Sequence, residues 1–344
     1  MDLLLRRRLM MLGGGGPTPP PPSPLPAGAI PCELLFTDGY TAYIDSGIVP
    51  SRAMSFDTDL LIIKPGNTYV GAIGYNISSV RFSPVNLAAA GALEVEYGNY
   101  FRSNTTFTSR VQPLRNFKVS MTDTGATVTI TEGDTQIHSE NFTYDSTSVT
   151  LSSTNTLGLL GRKTSNTAIT SGVWRGGMAR TKFYDDATYT DLIADFYPCY
   201  YQDNFGFWDV VGESFHIGNT PANIYGQGAH WHTQGFSPNA RLYNSGVLYD
   251  NRGLMVSPFL TVPSGCSNIR FNAGTTTNSD AWLCFYNSSK SYVSYFTYNS
   301  LNREVAVPSN AAFLRLAISV ADRDSCYIYD MTNNNYIWNG INVI

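Results

Sequence analysis

The side chains with the clearest potential for catalysis are two glutamates in the first half of the chain. Glu94 and Glu96 alternate along a predicted strand, so both carboxylates would project from the same face. Hydrolysis of a glycosidic bond uses two carboxyl groups about 5 to 9 Å apart across a cleft. No further acidic residue follows this pair at strand spacing, and no nucleophile elbow, P-loop or dinucleotide motif occurs. We therefore interpret the pair as a solvated strand face and predict that the chain is not an enzyme.

One compact cluster has the residue types of a metal site. His230 and His232 flank Trp231, and strand alternation would direct both imidazoles to the same side. Zinc needs three or four ligands, and no cysteine or carboxylate lies nearby in sequence. We therefore favour a contact between domains built around Trp231.

Two acidic pairs could contribute to a Ca²⁺ site, because this ion prefers oxygen ligands. They are Asp185 with Asp186, and Asp203 with Asn204. The same residue types are typical of tight turns, which is the interpretation we favour. The sequence thus predicts no metal and no cofactor, with Ca²⁺ as the remaining alternative.

Aromatic residues near the C-terminus are the better candidates for binding. Sugars stack their apolar faces on exposed rings, while neighbouring polar groups hydrogen-bond their hydroxyls. The alternative for each ring is packing in a core or in an oligomer interface. The candidates lie in Asn- and Ser-rich surroundings and are Tyr292, Tyr295, Tyr298, Tyr336 and Trp338.

Residues 1–12 form an arm whose pattern predicts docking to a partner. Three arginines separate two short apolar runs, whereas a secretory signal places its basic residues before one unbroken apolar stretch. A membrane-spanning helix needs about 20 apolar residues, and no such run occurs. A helix this short is marginal alone, so we expect a protein socket, rather than a membrane surface, to order it. The predicted docking residues are Leu3, Leu4, Leu5, Arg6, Arg7, Arg8, Leu9, Met10 and Met11.

Residues 13–29 form a Gly- and Pro-rich linker behind the arm. Four consecutive glycines are followed by a proline-rich run over residues 17–26. Polyproline II rises about 3 Å per residue, so this run could hold the following domains about 30 Å from the arm. The alternative is an ordinary disordered tail. An arm, a spacer and a folded body together indicate a protein displayed on a larger particle.

Composition narrows the class of the body. The chain of 344 residues has a formal charge of −4, and the arm contributes a net +2, so the body is acidic. This argues against nucleic-acid binding, which needs a basic face. Only 14% of residues are charged, whereas the chain has 22 tyrosines, 18 phenylalanines and 30 glycines, a composition typical of strands joined by turns. Five widely spaced cysteines fit neither a disulfide framework nor a zinc ribbon, and we expect synthesis in a reducing cytosol.

Short alternating runs predict an all-β protein with two antiparallel β-sandwich or jelly-roll domains. Phe117, Val119 and Met121 share one face of a strand, and Val128 and Ile130 face inward from the next. The expected helical content is a single turn over residues 191–194. The predicted domains cover residues 30–222 and 236–344, and residues 223–235 form a linker between them.

The first domain resembles the laminin-G-like, or concanavalin A-like lectin, family over residues 36–220. Residues 43–50 resemble the first strand of such domains, and residues 176–184 resemble a closing strand. Residues 192–199 continue through a Pro-Cys step to a G-x-x-D turn at 206–209, as in laminin-G-like domains of phages. Bacterial glucanases of this fold carry Glu-x-Asp-x-x-Glu on one strand, and the segment at Glu94 and Glu96 lacks its central Asp and its last Glu.

The second domain contains an internal echo. Val-Pro-Ser at 262–264 precedes Ile-Arg-Phe at 269–271, and Val-Pro-Ser at 307–309 precedes Leu-Arg-Leu at 314–316. Each copy predicts a proline-marked strand entrance and a strand whose arginine faces away from its apolar neighbours. The domain resembles the small carbohydrate-binding β-sandwich modules that are appended to phage fibres.

These resemblances imply a non-enzymatic virion surface protein, a head or tail fibre, made in the host cytoplasm. Its arm would dock into capsid or tail proteins, and its sandwiches would bind host surface glycan. Because weak sugar binding benefits from multivalency, we expect a homo-oligomer, with a trimer favoured over a dimer. The alternatives are a structural decoration or adaptor protein without glycan binding, a glycan depolymerase, and a bacterial cell-surface lectin.

Overall fold

The computed structural model describes residues 24–37, 42–63, 70–77, 80–87, 92–97, 99–106, 111–144, 151, 154–164, 176–228, 233, 235–274, 282–297, 303–320, 322 and 325–340. These residues form an all-β protein of mainly antiparallel sheets, as predicted, and residues 163–164 pair in parallel with residues 75–76. The arm and most of the linker lie outside the described residues. Within the described ranges, no helix combines the length and the hydropathy that crossing a membrane requires.

The first sandwich consists of strands β1 to β18, which form two sheets. Its strands are β1 Ile30–Pro31, β2 Leu34–Thr37, β3 Ile44–Asp45, β4 Ser55–Ile63, β5 Val70–Ile77, β6 Val80–Leu87, β7 Ala92–Tyr97, β8 Asn99–Thr106, β9 Val111–Met121, β10 Gly125–Glu132, β11 Thr135–Thr143, β12 Gly158–Leu159, β13 Lys163–Thr164, β14 Gly177–Tyr184, β15 Leu192–Tyr201, β16 Asn204–Asp209, β17 Ser214–Ile217 and β18 Ile224–Gln227. One sheet follows the order β11-β10-β9-β4-β14-β15-β16-β17, and the other follows β3-β12-β5-β6-β7-β8.

The core of the first sandwich lies between these two sheets. Phe56 of β4 meets Phe82 of β6 with ring centroids 6.5 Å apart, which joins one sheet to the other. The predicted meander is confirmed as β9, β10 and β11, and its inward residues Phe117, Val119 and Val128 are fully buried. Alternation along β9 and β10 therefore predicted the core face correctly.

The helical turn expected at 191–194 is wrong. Leu192–Tyr201 forms β15, which pairs with β14 and β16 and leads into a hairpin turn at Gln202 and Asp203. Both turn residues have positive φ, at 50° and 61°, as the tight turn of a two-residue hairpin requires. Strand pairing on both sides outweighed the weak local preference for a helix.

The first sandwich extends further along the chain than residue 222. Ile224–Gln227, which lies inside the range predicted as a linker, forms β18 and pairs with β2. The glycines at positions 226, 228 and 235 are the sequence feature that favours a linker. Gly226 instead lies closely packed, because a Cβ there would come within 2.4 Å of the ring of Phe205.

The second sandwich contains ten strands within the described residues. They are β19 Ser237–Leu242, β20 Leu248–Val256, β21 Leu260–Thr261, β22 Asn268–Asn272, β23 Leu283–Tyr286, β24 Tyr292–Phe296, β25 Arg303–Ala306, β26 Phe313–Ser319, β27 Tyr327–Asp330 and β28 Asn335–Asn339. One sheet has the order β19-β20-β26-β23-β24, with β21 also on β26, and the other has the order β25-β22-β27-β28.

The two sandwiches share a buried cluster. Leu34 and Phe36 of β2 belong to the same apolar cluster as Met255 of β20, whereas Leu35 belongs to the core of the first sandwich. The amide of Asn239 adds a polar contact by donating a 2.9 Å hydrogen bond to the carbonyl oxygen of Thr37. Strand β2 is therefore buried on both faces and joins the two sandwiches.

Candidate functional site

Two of the predicted binding tyrosines lie on one face of strand β24. The register pairs Tyr295 with Cys284 and Tyr292 with Tyr286, and a bulge at Val293 separates the two pairs. Because Cys284 and Tyr286 share a face of β23, the bulge brings Tyr292 and Tyr295 to the same face as well. Both rings are accessible, with exposed fractions of 38% and 39%. We call this pair the β24 surface.

The β24 surface is supported by the hairpin between β19 and β20. The hydroxyl of the buried Tyr286 donates a 2.8 Å hydrogen bond to the carbonyl oxygen of Gly246 at the hairpin tip. Gly246 has a φ of 74°, and a Cβ there would lie 2.8 Å from the Tyr292 ring, so this position favours glycine. Partial burial also raises the pKa of Tyr292. One edge of the ring is thus packed, and the remaining surface is open to a ligand.

The other C-terminal candidates are not part of this surface. Tyr336 is 51% exposed but lies on β28 in the other sheet, where its ring contacts Tyr329 at 5.1 Å and Tyr327 at 6.0 Å. Trp338 is buried against Phe236, with ring centroids 5.3 Å apart, so its role as an exposed platform is corrected to core packing. Tyr298 lies outside the described residues.

The predictions for the arm, the histidine cluster and the Glu94 and Glu96 side chains concern parts of the chain outside the described residues. The docking residues of the arm and the His230 to His232 cluster lie outside the described residues. Glu94 and Glu96 lie on β7, where their backbones flank the buried Val95, and their side chains are outside the description. Within the described part of the chain, no group of three or more His, Cys, Asp or Glu residues is arranged to hold a metal ion.

The acidic pairs form turns, as the favoured interpretation predicts. Asn204 donates from its amide to the carbonyl oxygen of Gln202 across the β15–β16 turn, at 2.7 Å. The carboxylate of Asp186 accepts hydrogen bonds from the hydroxyls of Thr188 and Thr190, at 2.7 and 3.0 Å, and from the backbone N–H of Asp191. Desolvation works against the charged carboxylate, but these donors together hold the pKa of Asp186 well below its usual range.

We expect Asp186→Asn to lower the melting temperature at pH 7 by a few degrees. A depressed pKa means that the carboxylate stabilises the fold above the unfolded-state pKa of about 3.9, and that this stabilisation is lost as the pH falls through the folded-state value. The difference between wild type and variant should therefore shrink below about pH 4. Thermal unfolding from pH 7 to pH 2.5 measures this, and a constant difference across the range would contradict it.

The structure also reveals a polar cluster that sequence analysis missed, on strands β4 and β9. The amide nitrogen of Asn116 donates to a carboxylate oxygen of Asp57 at 2.6 Å and to one of Asp59 at 3.0 Å. Burial, followed by the neighbouring charge of Asp57, raises the pKa of Asp59, and Asn116 opposes this rise. The alternating pattern Asp57-x-Asp59 in the sequence was the available signal, because these residues share a strand face.

The same face of this sheet carries an ion pair beside an aromatic ring. The guanidinium of Arg180 makes two hydrogen bonds to the carboxylate of Asp195, one of them at 2.7 Å. Its central carbon lies 4.4 Å from the centroid of the Tyr197 ring. The hydrogen bonds from Arg180 to Asp195 raise the pKa of Arg180, so this positive charge is already compensated within the fold.

Comparisons with known proteins gave structural similarities only. No protein-family model matches the chain, and no curated protein matches it significantly. One similar crystal structure is of a Bacteroides ovatus protein described as carbohydrate-binding, with 12% identity, a TM-score of 0.39, and coverage of 58% of this chain and 61% of that one. Another is the LG1–3 region of the laminin alpha2 chain, with 11% identity, a TM-score of 0.39, and coverage of 89% and 57%.

A third similar structure is a single-residue variant of the NanB sialidase from Streptococcus pneumoniae, with 9% identity and a TM-score of 0.29. It covers 89% of this chain and 55% of the sialidase, so this chain spans less than two thirds of each of the three proteins. All three identities are at or below 12%, and all three TM-scores are at or below 0.39. None of these proteins therefore fixes the function of this chain.

Proposed function

We propose that this chain is a non-enzymatic glycan-binding protein of a bacteriophage virion surface, a head or tail fibre. The observation that carries glycan binding is the β24 surface, where two accessible tyrosine rings lie on one face of a strand at the edge of the described sheet. Exposed rings supply apolar area for stacking a sugar, and an edge strand leaves backbone groups for its hydroxyls. This combination suits a polar ligand with apolar ring faces.

The virion role rests on the sequence of residues 1–29. A basic, apolar arm ahead of a Gly- and Pro-rich linker suits docking to a capsid or tail protein, with the sandwiches held outward. Binding through two rings is weak at a single site, so a homo-oligomer, with a trimer favoured over a dimer, would gain avidity on a repeated surface glycan. A structural decoration protein would share this arm and lack the glycan contact.

A second candidate function, glycan depolymerisation, is favoured by one observation. Asp57 and Asp59 are bridged by one amide nitrogen, and the pKa of Asp59 is raised. Glycoside hydrolysis uses two neighbouring carboxyl groups, one of which acts as the acid, and burial favours that role for Asp59. We rank this function second, because Asn116 ties both carboxylates to each other within the fold.

One experiment separates these functions. The full chain is mixed with intact surface polysaccharide from candidate host cells, and bound protein and new reducing ends are measured in the same tube. Saturable binding without new reducing ends is the expected result. Reducing ends that disappear with Asp59→Asn would establish the depolymerase instead. An intact oligomer that binds no candidate polysaccharide would indicate a structural decoration protein.

A further inference from the structure

The arginines in the two copies of the internal echo differ in their burial and in their ionic partners. In the first copy, Arg270 on β22 is partly exposed and pairs with the carboxylate of Glu304 at 2.5 Å. In the second copy, Arg315 on β26 is only 8% exposed. Among the described residues, no carboxylate lies within ion-pair distance of Arg315. Of these two arginines, the buried one therefore lacks a carboxylate partner within the described part of the chain.

The surroundings of Arg315 hold its guanidinium in place without neutralising it. Its Nε donates a 2.8 Å hydrogen bond to the carbonyl oxygen of Ser257, and its central carbon lies 5.0 Å from the centroid of the Phe259 ring. Burial lowers the pKa of Arg315. A buried charge without an ionic partner destabilises a fold, and this cost falls when an anion binds.

A second positive charge lies over the same aromatic ring. The Lys290 ammonium is 5.1 Å from the centroid of Phe259 and 5.7 Å from that of Phe313. It too has no ion-pair partner within the described part of the chain. The two cations lie 5.1 and 5.0 Å from the same ring centroid in an acidic protein, and their combined charge favours a negatively charged group nearby.

The backbone at Lys290 is held in an uncommon conformation. Its φ of 58° lies in the left-handed region, and its N–H closes a turn by donating to the carbonyl oxygen of Asn287 at 2.9 Å. A non-glycine residue is strained there, and glycine or asparagine would be the usual choice. A lysine at this turn position places its ammonium over the two rings.

This cationic site adjoins the β24 surface. Tyr286 connects them, because its ring lies 4.9 Å from Phe259 and 6.4 Å from Tyr292. The ring of Tyr286 therefore links Tyr292 to the Phe259 ring that carries the two cations, so a ligand longer than one sugar could contact both. A guanidinium offers a planar pair of donors that matches a carboxylate, and an ammonium adds a point charge.

We propose that Arg315 and Lys290 bind the carboxylate of an acidic sugar whose chain continues over Tyr292 and Tyr295. The inference rests on the proposed glycan-binding function and defines its substrate class as carboxylate-bearing, rather than neutral, glycans. The carboxylate would accept hydrogen bonds from the guanidinium and the ammonium, and no covalent step is involved. The internal echo supplies a matched control, because Arg270 already has its own carboxylate partner.

The test compares pairs of polysaccharides that differ only in the carboxyl group. Polygalacturonate and polysialic acid are each compared with their carboxyl-reduced forms, by titration calorimetry with the full chain at 50 and 300 mM NaCl. We expect at least one acidic form to bind about ten-fold more tightly than its reduced form at low salt. Lys290→Gln and Arg315→Lys should each lower this preference about three- to ten-fold, and Arg270→Gln should leave it unchanged.

The possible outcomes test carboxylate recognition and glycan binding separately. If reduced and acidic forms bind equally, and Tyr292→Ala weakens both, the inference fails and glycan binding stands. A preference that survives Lys290→Gln and Arg315→Lys, or falls with Arg270→Gln, also overturns the inference. If no acidic or neutral polysaccharide binds, the proposed function itself is contradicted. Lys290 is exposed, so its variant remains informative even where Arg315→Lys loses stability.

Discussion

Replacing Tyr292 and Tyr295 together with alanine should lower the affinity for a bound polysaccharide by about thirty-fold. Each accessible ring would lose its stacking area, and about 1 kcal/mol per ring corresponds to roughly this factor for the pair. Stability should change little, because both rings are more than one third exposed. Titration of the variant with the polysaccharide that wild type binds measures the loss, and circular dichroism checks the fold.

The matched control is Tyr336→Ala. Tyr336 is the more exposed ring, at 51%, but it lies on β28 in the other sheet of the same sandwich. Unchanged binding in this variant would assign the ligand to the β24 surface. Lost binding in Tyr336→Ala, with normal binding in the double variant, would move the site to the surface formed by Tyr327, Tyr329 and Tyr336 and contradict the assignment to β24.

Strand alternation predicted the core of the first sandwich but not the orientation of the C-terminal aromatic residues. A regular strand would place Tyr292 and Tyr295 on opposite faces, because they are three residues apart. The bulge at Val293 brings them together. Bulges depend on pairing with a neighbouring strand, so a local sequence pattern does not reveal them.

A second bulge explains the wrong expectation for Trp338. Tyr336 and Trp338 are two residues apart and would share a face on a regular strand. In β28, however, Tyr336 pairs with Tyr329 while Trp338 pairs with the buried Ile328, which leaves Ile337 as the extra residue. One ring is therefore exposed and the other is buried. The same structural feature assembled one predicted pair and separated another.

The acidic residues of the first sandwich illustrate a different limit of sequence analysis. Alternation in the sequence marks Glu94 and Glu96 as a carboxylate pair on one strand face, and it marks Asp57 and Asp59 equally. What sets the pair Asp57 and Asp59 apart is Asn116 on the neighbouring strand β9. Its side-chain amide donates hydrogen bonds to both carboxylates, although it lies far away in sequence. Cross-strand partners of this kind become visible only when the register of the sheet is known.

The contact between the two sandwiches was likewise beyond sequence patterns. Residues 223–235 are predicted as a linker, yet β18 lies within this range and pairs with β2 of the first sandwich. All four residues of β2 are buried, and its first three residues, Leu34 to Phe36, are apolar, so neither face of this strand is exposed to solvent. A continuous apolar run predicts a strand covered on both sides, and the second sandwich provides the second cover.

Phe36→Ala should therefore destabilise both sandwiches. We expect the free energy of unfolding to fall by about 3 to 5 kcal/mol. Phe36 is fully buried, stacks on Tyr225 with ring centroids 5.6 Å apart, and belongs to the apolar cluster of the second sandwich. Hydrogen exchange measured by mass spectrometry should show faster exchange in β20 and β26 of the second sandwich as well as in β2. The adjacent Leu35→Ala is the control, because Leu35 faces the core of the first sandwich. If Phe36→Ala leaves exchange in β20 and β26 unchanged, the two sandwiches are not coupled through β2.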